Sequence, residues 1–481
     1  MSHPGTEGVL APSELKRSIT ARQLYFYVVG DVLGSGIYVL IGLVAAAVGG
    51  AFWMAFLAGV AVATITGLAY AELVTKYPQA AGASLYVNKA FRSPVLTFFV
   101  TICMLSANMA AVGSLASGFV RYFAGVVGMS EDAVIPTLLI ALAFITLITV
   151  INLIGISESV VANVVMTFIE LSGLLLIMVI GVIALFTGVS EPGVLLEFSG
   201  EGSKAVAVLA GVSLAFFAMT GFENAANVAE ETVDPSRAFP RALIGGMLTA
   251  GTVYVLVSIA AALAVPMDTL ADNTLLEVVR ADLLPISVSV MLVVFGLIAM
   301  VAISNTTLVT VVAQSRILYG MAREDVVPGV FAKVHPTRRS PYVALLFGGA
   351  IVGGLLLIGA LIQLGGSDLD IVDRLATITV VFLLFIYALV IVACLKLRGT
   401  GETPDTYRAN TALLYLGILG NLLVLGYTVV DDPGSLLWVA GLLAVGLVLF
   451  LVQRFNGGAR DRPSTDGPTA TAGTPNTDEG R

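Results

Sequence analysis

The chain has 481 residues, 58% of them hydrophobic and 12% charged, with a net charge of −8 and a mean hydropathy of +0.98. A soluble domain carries about a quarter charged residues and cannot hide this much apolar surface in one core, so the composition requires a bilayer as solvent. The apolar stretches run to about 20 residues rather than the roughly 10-residue alternating strands of a membrane barrel, which makes the fold class an all-α polytopic membrane protein.

In chain order, residues 1–23 are polar and read as a cytoplasmic N-terminal segment, with no apolar core and small-residue cleavage site to mark a removed signal. About twelve transmembrane helices are predicted, over 24–48, 51–73, 95–120, 133–152, 160–186, 205–228, 242–265, 286–319, 342–362, 377–395, 411–430 and 436–452. They give a transmembrane domain over 24–455. Residues 456–481, dominated by Gly, Pro, Thr, Ser and Asp, read as a disordered cytoplasmic tail. Lys and Arg accumulate on cytoplasmic loops. With the N-terminus inside, twenty of the 24 basic residues fall on inner segments, and only Arg121, Lys204, Arg280 and Arg374 fall outside. A multi-pass protein of the cell membrane with both termini cytoplasmic is therefore expected. The outer loops are acidic, with Glu131, Asp132, Glu191, Glu197, Asp268, Asp272, Asp368, Asp370, Asp431 and Asp432.

Catalytic and cofactor chemistry finds little support. Cys103 and Cys394 sit in apolar runs, and His3 and His335 fall in a tail and a loop, which argues against a disulfide framework, a metal site or an enzyme. No Gly-Lys dipeptide supplies an ATP-phosphate loop, so uphill work would draw on an ion or solute gradient. No cofactor and no nucleic-acid partner is expected.

Within the first span, "GDVLGSGIYVLIG" places Gly34, Ser35 and Gly36 about 12 residues in, some 18 Å deep and near the middle of a roughly 30 Å hydrocarbon core. Glycine costs about 1 kcal/mol relative to alanine inside a helix, and Asp31 at this depth is expensive unless it faces protein, water or an ion. The sixth span repeats the anomaly in "LAFFAMTGFENAANVAEE", where Thr220 and Gly221 precede Glu223 and Asn224. Paired interruptions in corresponding spans point to a carrier's substrate site. Half-helix N-termini suit an anionic group and half-helix C-termini a cation, so a zwitterion such as an amino acid fits the pair. Small residues that merely let helices pack closely are the alternative.

These residues resemble a known family. "VLGSGIYVL", "AELVTKYPQAAGASLYV", "FFAMTGFENAANVAEETVDPSRAFPRAL" and "QSRILYGMAREDVVPGVFAKVHPTRRSPYVALL" are similar to blocks of the amino acid–polyamine–organocation (APC) superfamily of amino acid permeases. The resemblance implies a LeuT-type 5+5 inverted repeat, over about 24–186 and 205–397, plus two extra helices over about 411–452. It also implies alternating-access transport of amino acids or related amines. Carried over by position, the amides of Gly34, Ser35 and Gly36 would hold the substrate carboxylate, and the carbonyls of Val32, Phe217, Ala218 and Thr220, beside Gly221, the ammonium. Phe217 would be an aromatic gate. Two departures stand out. Glu170 occupies the fifth-span place of a lysine found in several proton-coupled members, and Arg323-Glu324-Asp325-Val326 stands where an Arg-Asp-Gly turn is common.

Asp31, Glu170 and Glu223 have no lysine partner at comparable depth, and burial disfavours a charged carboxylate. At least one is expected to carry a proton, giving proton-coupled symport or exchange, with sodium the other candidate ion; alternatively Asp31 and Glu223 only hold the broken helices. The cluster Phe216, Phe217, Met219 and Phe222 favours a neutral apolar substrate, whereas the acids would also suit a cationic amino acid or polyamine exchanger. A channel or a non-transporting amino-acid sensor is the remaining class.

Overall fold

The structure is a computed structural model that describes residues 15–129, 133–188, 192–199, 203–271, 274–365 and 371–431, with scattered positions between 433 and 447. The expected tail, most of the expected twelfth span and the acids Glu131, Asp132, Glu191, Asp272, Asp368, Asp370 and Asp432 lie outside the described residues.

The first span is two helices, α1 (Ala21–Leu33) and α2 (Ser35–Val48), separated at Gly34. Its axis turns by 65° between Ala21–Tyr38 and Leu40–Val48. Thr20 and Gln23 form a reciprocal cap at the start of α1, each side chain serving the other's backbone N–H. There follow α3 (Trp53–Lys76), α4 (Gly82–Phe91), α5 (Pro94–Val127), α6 (Val134–Ile154) and α7 (Ile156–Thr187). Ser93 caps α5 and Pro94 opens it, where proline's missing N–H costs nothing. At 34 residues α5 reaches about 51 Å, well beyond a roughly 30 Å hydrocarbon core.

The sixth span, Lys204–Asn227, is also divided, into α8 (Lys204–Met219) and the single turn α9 (Asn224–Asn227). The rest comprises α10 (Pro235–Ala264), the short α11 (Met267–Ala271) and α12 (Leu276–Arg280), α13 (Val288–Arg323), α14 (Tyr342–Leu364), α15 (Ile371–Lys396) and α16 (Thr411–Asp431). Among the described residues ten runs are long and apolar enough to cross a bilayer, and the bent α1–α2 pair makes an eleventh. An isolated bridge between Ile19 and Thr232 is the extended pairing found there. The chain is an all-α polytopic membrane protein.

The broken spans sit in the middle of the packing. α1 lies along α10 and α2 along α8, while α5 packs on α13 and α3 on α10. Outer helices turn leucines such as Leu139, Leu147 and Leu361 outward, as lipid-facing surfaces do. The basic ends of the spans gather on one face through ion pairs that join separate elements: Arg398 with Glu72, Lys76 with Glu402, Lys89 with Glu324, and Arg323 with Glu230. Arg316 and Glu231 form a two-pronged pair, both N···O distances 3.1 Å, with neither side chain exposed.

Candidate functional site

The helix α1 runs out of regular bonding because Gly34 departs from helical backbone, freeing carbonyls at the end of α1 and amides at the start of α2. In the sixth span Thr220 is extended and Gly221 takes φ +115°, a conformation that L side chains rarely adopt. The interruptions thus lie at the residues where the sequence places them.

The two breaks are pinned to each other. Asn224 Nδ2 donates to Asp31 Oδ2 at 3.0 Å, and the Gly221 amide donates to Glu223 Oε2 at 2.9 Å. Gly36 packs so closely on Ala218 that a Cβ there would lie 2.5 Å from the Ala218 Cα. Both acids therefore do hold the broken helices. Asp31 Oδ1 nevertheless has no hydrogen-bond partner although it is buried, and the same is true of Asn224 Oδ1.

Between the breaks lies a cavity of about 50 Å3 reached by Asp31, Val32, Gly34, Gly36, Phe217, Ala218, Thr220, Gly221 and Glu223, with Asn108 and Thr306 on the facing helices. That volume holds a few waters and is too small for an amino acid. Among the described residues its lining has two carboxyl side chains and no Lys, Arg or His. The Asn108 Nδ2 donor at its edge is buried without a partner.

The carbonyls freed at the breaks already have internal partners. The Tyr254 hydroxyl, from α10, reaches both the Val32 carbonyl and the Ala218 carbonyl, the latter at 3.1 Å. It has one proton for two acceptors. The Phe217 carbonyl receives the Thr220 hydroxyl at 2.7 Å and the Thr220 amide at 3.2 Å, which occupies both of its lone pairs. Sequence reasoning missed Tyr254, because nothing near it in the chain signals two broken helices elsewhere.

Glu170 falls outside this cavity. It is fully buried on α7, where Asn305 Nδ2 approaches Glu170 Oε2 at 3.4 Å and Oε1 is unpartnered. The same Asn305 amide reaches the Gly30 carbonyl at 3.3 Å and Thr167 Oγ1 at 3.2 Å, while Asn163 donates to Asn305 Oδ1 at 2.8 Å. This second polar cluster backs onto α1 one turn before the break.

Of the aromatic cluster expected to form an apolar pocket, only Phe217 lines the cavity. Phe216 and Phe222 pack on Tyr387, and Met219 points toward Gly59. Phe216, Phe217 and Met219 share α8, where neighbours in sequence point about 100° apart, and Phe222 lies beyond the break at Thr220. Ala107, Ala111, Leu115 and Leu383 complete the apolar wall among the described residues.

Comparison with known proteins gives concordant matches. The family profile described as amino acid permease matches residues 19–464. A branched-chain amino acid permease, BcaP of Bacillus subtilis (strain 168), is 26% identical over 412 residues, covering 82% of this chain and 83% of that protein. The methylthioribose transporter of the same organism is 28% identical over 365 residues, 71% and 75% of the two chains. Cationic amino acid transporter 5 of Arabidopsis thaliana is 25% identical over 464 residues, 92% of this chain and 77% of its own.

Proposed function

The chain belongs to the amino acid permease family, and from that premise we propose a secondary active carrier that moves an amino acid across the cell membrane by alternating access. One observation carries the reading: two broken spans meet at a cavity lined by both interruptions and by Asp31, whose Oδ1 has no hydrogen-bond partner. The amides of Gly34, Ser35 and Gly36 begin a half-helix whose positive end suits a carboxylate. The carbonyls of Val32 and Ala218, each reached by the Tyr254 hydroxyl, keep a lone pair for an ammonium, and Asp31 Oδ1 adds an acceptor on the same cavity. The Phe217 carbonyl is already saturated, so that residue's contribution is its ring, a gate over a cavity that must widen to admit substrate.

Protons are the proposed driving ion. Asp31 and Glu223 line the cavity with no basic partner among the described residues, and Glu170 lies behind α1 with one oxygen unpaired. The basic face of the bundle supports a reading with both termini in the cytoplasm. A second reading, a cationic substrate, is favoured by those same two cavity carboxyls; the relatives' names span neutral and cationic amino acids.

Counterflow into proteoliposomes tests transport: preloading with unlabelled amino acid accelerates entry of label in a carrier and not in a channel. Glu223→Gln and Glu170→Gln are expected to abolish accumulation driven by a pH gradient while leaving counterflow measurable. Proton-driven accumulation that survives both changes overturns the coupling proposal, and lysine competing better than leucine selects the second reading.

A further inference from the structure

A second concavity lies away from the proposed transport site, between the start of α1 and the start of α10. It is a groove of about 590 Å3 whose wall includes Arg22, Arg237 and Arg241, with Thr20, Tyr25 and Val233 beside them. The hydroxyls of Tyr25 and Thr249 meet at 2.8 Å and join α1 to α10 just beyond it.

The charges in it are not balanced. Arg237 leans on Asp234 at 4.0 Å and Asp405 at 3.6 Å. Arg22 and Arg241 pair with no carboxylate among the described residues, though both line the same groove. Asp234 is the one acid in the lining, so the groove keeps an excess of positive charge, contributed by Arg22 and Arg241.

The groove also opens onto the lipid face. On α10 the exposed residues Arg241, Leu248, Thr252 and Leu256 follow one another along a single helical stripe, and Leu248 and Leu256 are 53% and 47% exposed. Arg241 is the polar end of a strip that otherwise faces acyl chains. Val233, 49% exposed, adds apolar surface at the rim. A ligand held here therefore meets guanidinium groups at one end and a hydrocarbon-facing helix at the other. Basic pockets between spans at the membrane surface hold lipid headgroups in this way, and a guanidinium matches a phosphate by paired N–H donors.

We propose that the groove between α1 and α10 binds the phosphate of an anionic phospholipid from the adjoining leaflet, with Arg22 and Arg241 as its ligands and the acyl chains laid along the Leu248–Leu256 stripe. Because the groove joins α1 to α10, the bound lipid would hold one half of the broken first span to its neighbour.

Thermal unfolding of the full-length protein in nonionic detergent tests this, titrated with short-chain phosphatidylglycerol, phosphatidylcholine of the same chain length, or inorganic phosphate. Phosphatidylglycerol is expected to raise the midpoint saturably, with the other two giving no comparable shift. Arg22→Gln/Arg241→Gln is expected to weaken the phosphatidylglycerol response at least tenfold in concentration while leaving the lipid-free midpoint unchanged, since neither side chain has an ionic partner to lose. Lys333→Gln/Arg339→Gln, an exposed basic pair elsewhere, should leave the titration intact. The proposal is overturned by an absent phosphatidylglycerol shift, by one that survives Arg22→Gln/Arg241→Gln, or by one lost equally in the Lys333/Arg339 pair. Inorganic phosphate reproducing the shift would assign the groove to free phosphate instead.

Discussion

Tyr254 shows how one side chain can stabilise a conformation that the backbone alone would not keep. Breaking two helices inside the bilayer leaves carbonyls without partners, each costing several kcal/mol in hydrocarbon. Tyr254 meets two of them, at Val32 and Ala218, with a single hydroxyl. Tyr254→Phe keeps the ring and removes only that donor, so the cost is that of a buried acceptor left unpaired, about 1–3 kcal/mol. A lower unfolding midpoint in detergent is the expected result, together with a higher KM in uptake, because the same carbonyls are the proposed seat of the ammonium. An unchanged midpoint would mean that water replaces the phenol. Asp31 and Glu223 are the converse case, residues whose hydrogen bonds hold the breaks while an unpaired oxygen remains on Asp31 for a proton or a substrate.

At the scale of helices, the meeting of the two breaks depends on how closely α2 can approach α8. Gly36 has no side chain, and a Cβ built there would fall 2.5 Å from the Cα and 2.7 Å from the Cβ of Ala218. Gly36→Ala must push the half-helices apart. Overpacking of this kind costs about 1–3 kcal/mol, and we expect counterflow to be lost while the protein still inserts and unfolds cooperatively at a lower temperature. Both interruptions were legible in the sequence, since glycines and an acid at mid-membrane depth are costly locally and the cost shows in the residues themselves. Their partners were not. Tyr254, Asn305 and Asn108 are polar residues in otherwise ordinary spans, and only the packing of α10, α13 and α5 brings them to α1. The facing of Phe216, Met219 and Phe222 was misread for a related reason: closeness in sequence does not put side chains on one face of α8, and helical periodicity does not carry across the extended Thr220 to Phe222. Leu15 and Ile19, buried against the body, were hidden by the polar residues around them.

Across the whole molecule, the basic face is closed by contacts from five separate parts of the chain. The Ser18 amide donates to the Glu231 carbonyl and the Val233 amide to the Ile19 carbonyl, both at 2.9 Å. Glu231 pairs with Arg316 at the far end of α13, Glu230 pairs with Arg323 and accepts the Ala80 amide, and the hydroxyls of Ser18 and Ser157 lie 3.1 Å apart. The proposed alternating access requires that a face closed in one state open in another, and α1, which begins two residues after Ile19, is one of the two broken spans. On that proposal the segment before α1 leaves the start of α7 once in each cycle. Ser18→Cys with Ser157→Cys places two thiols where the hydroxyls now touch, and the native Cys103 and Cys394 are both buried and poorly placed to compete. Oxidation is expected to stop counterflow, and reduction to restore it, with each single cysteine unaffected by either treatment. Full transport by the cross-linked protein would show that this face stays shut throughout the cycle, and the moving parts would have to be sought elsewhere in the bundle.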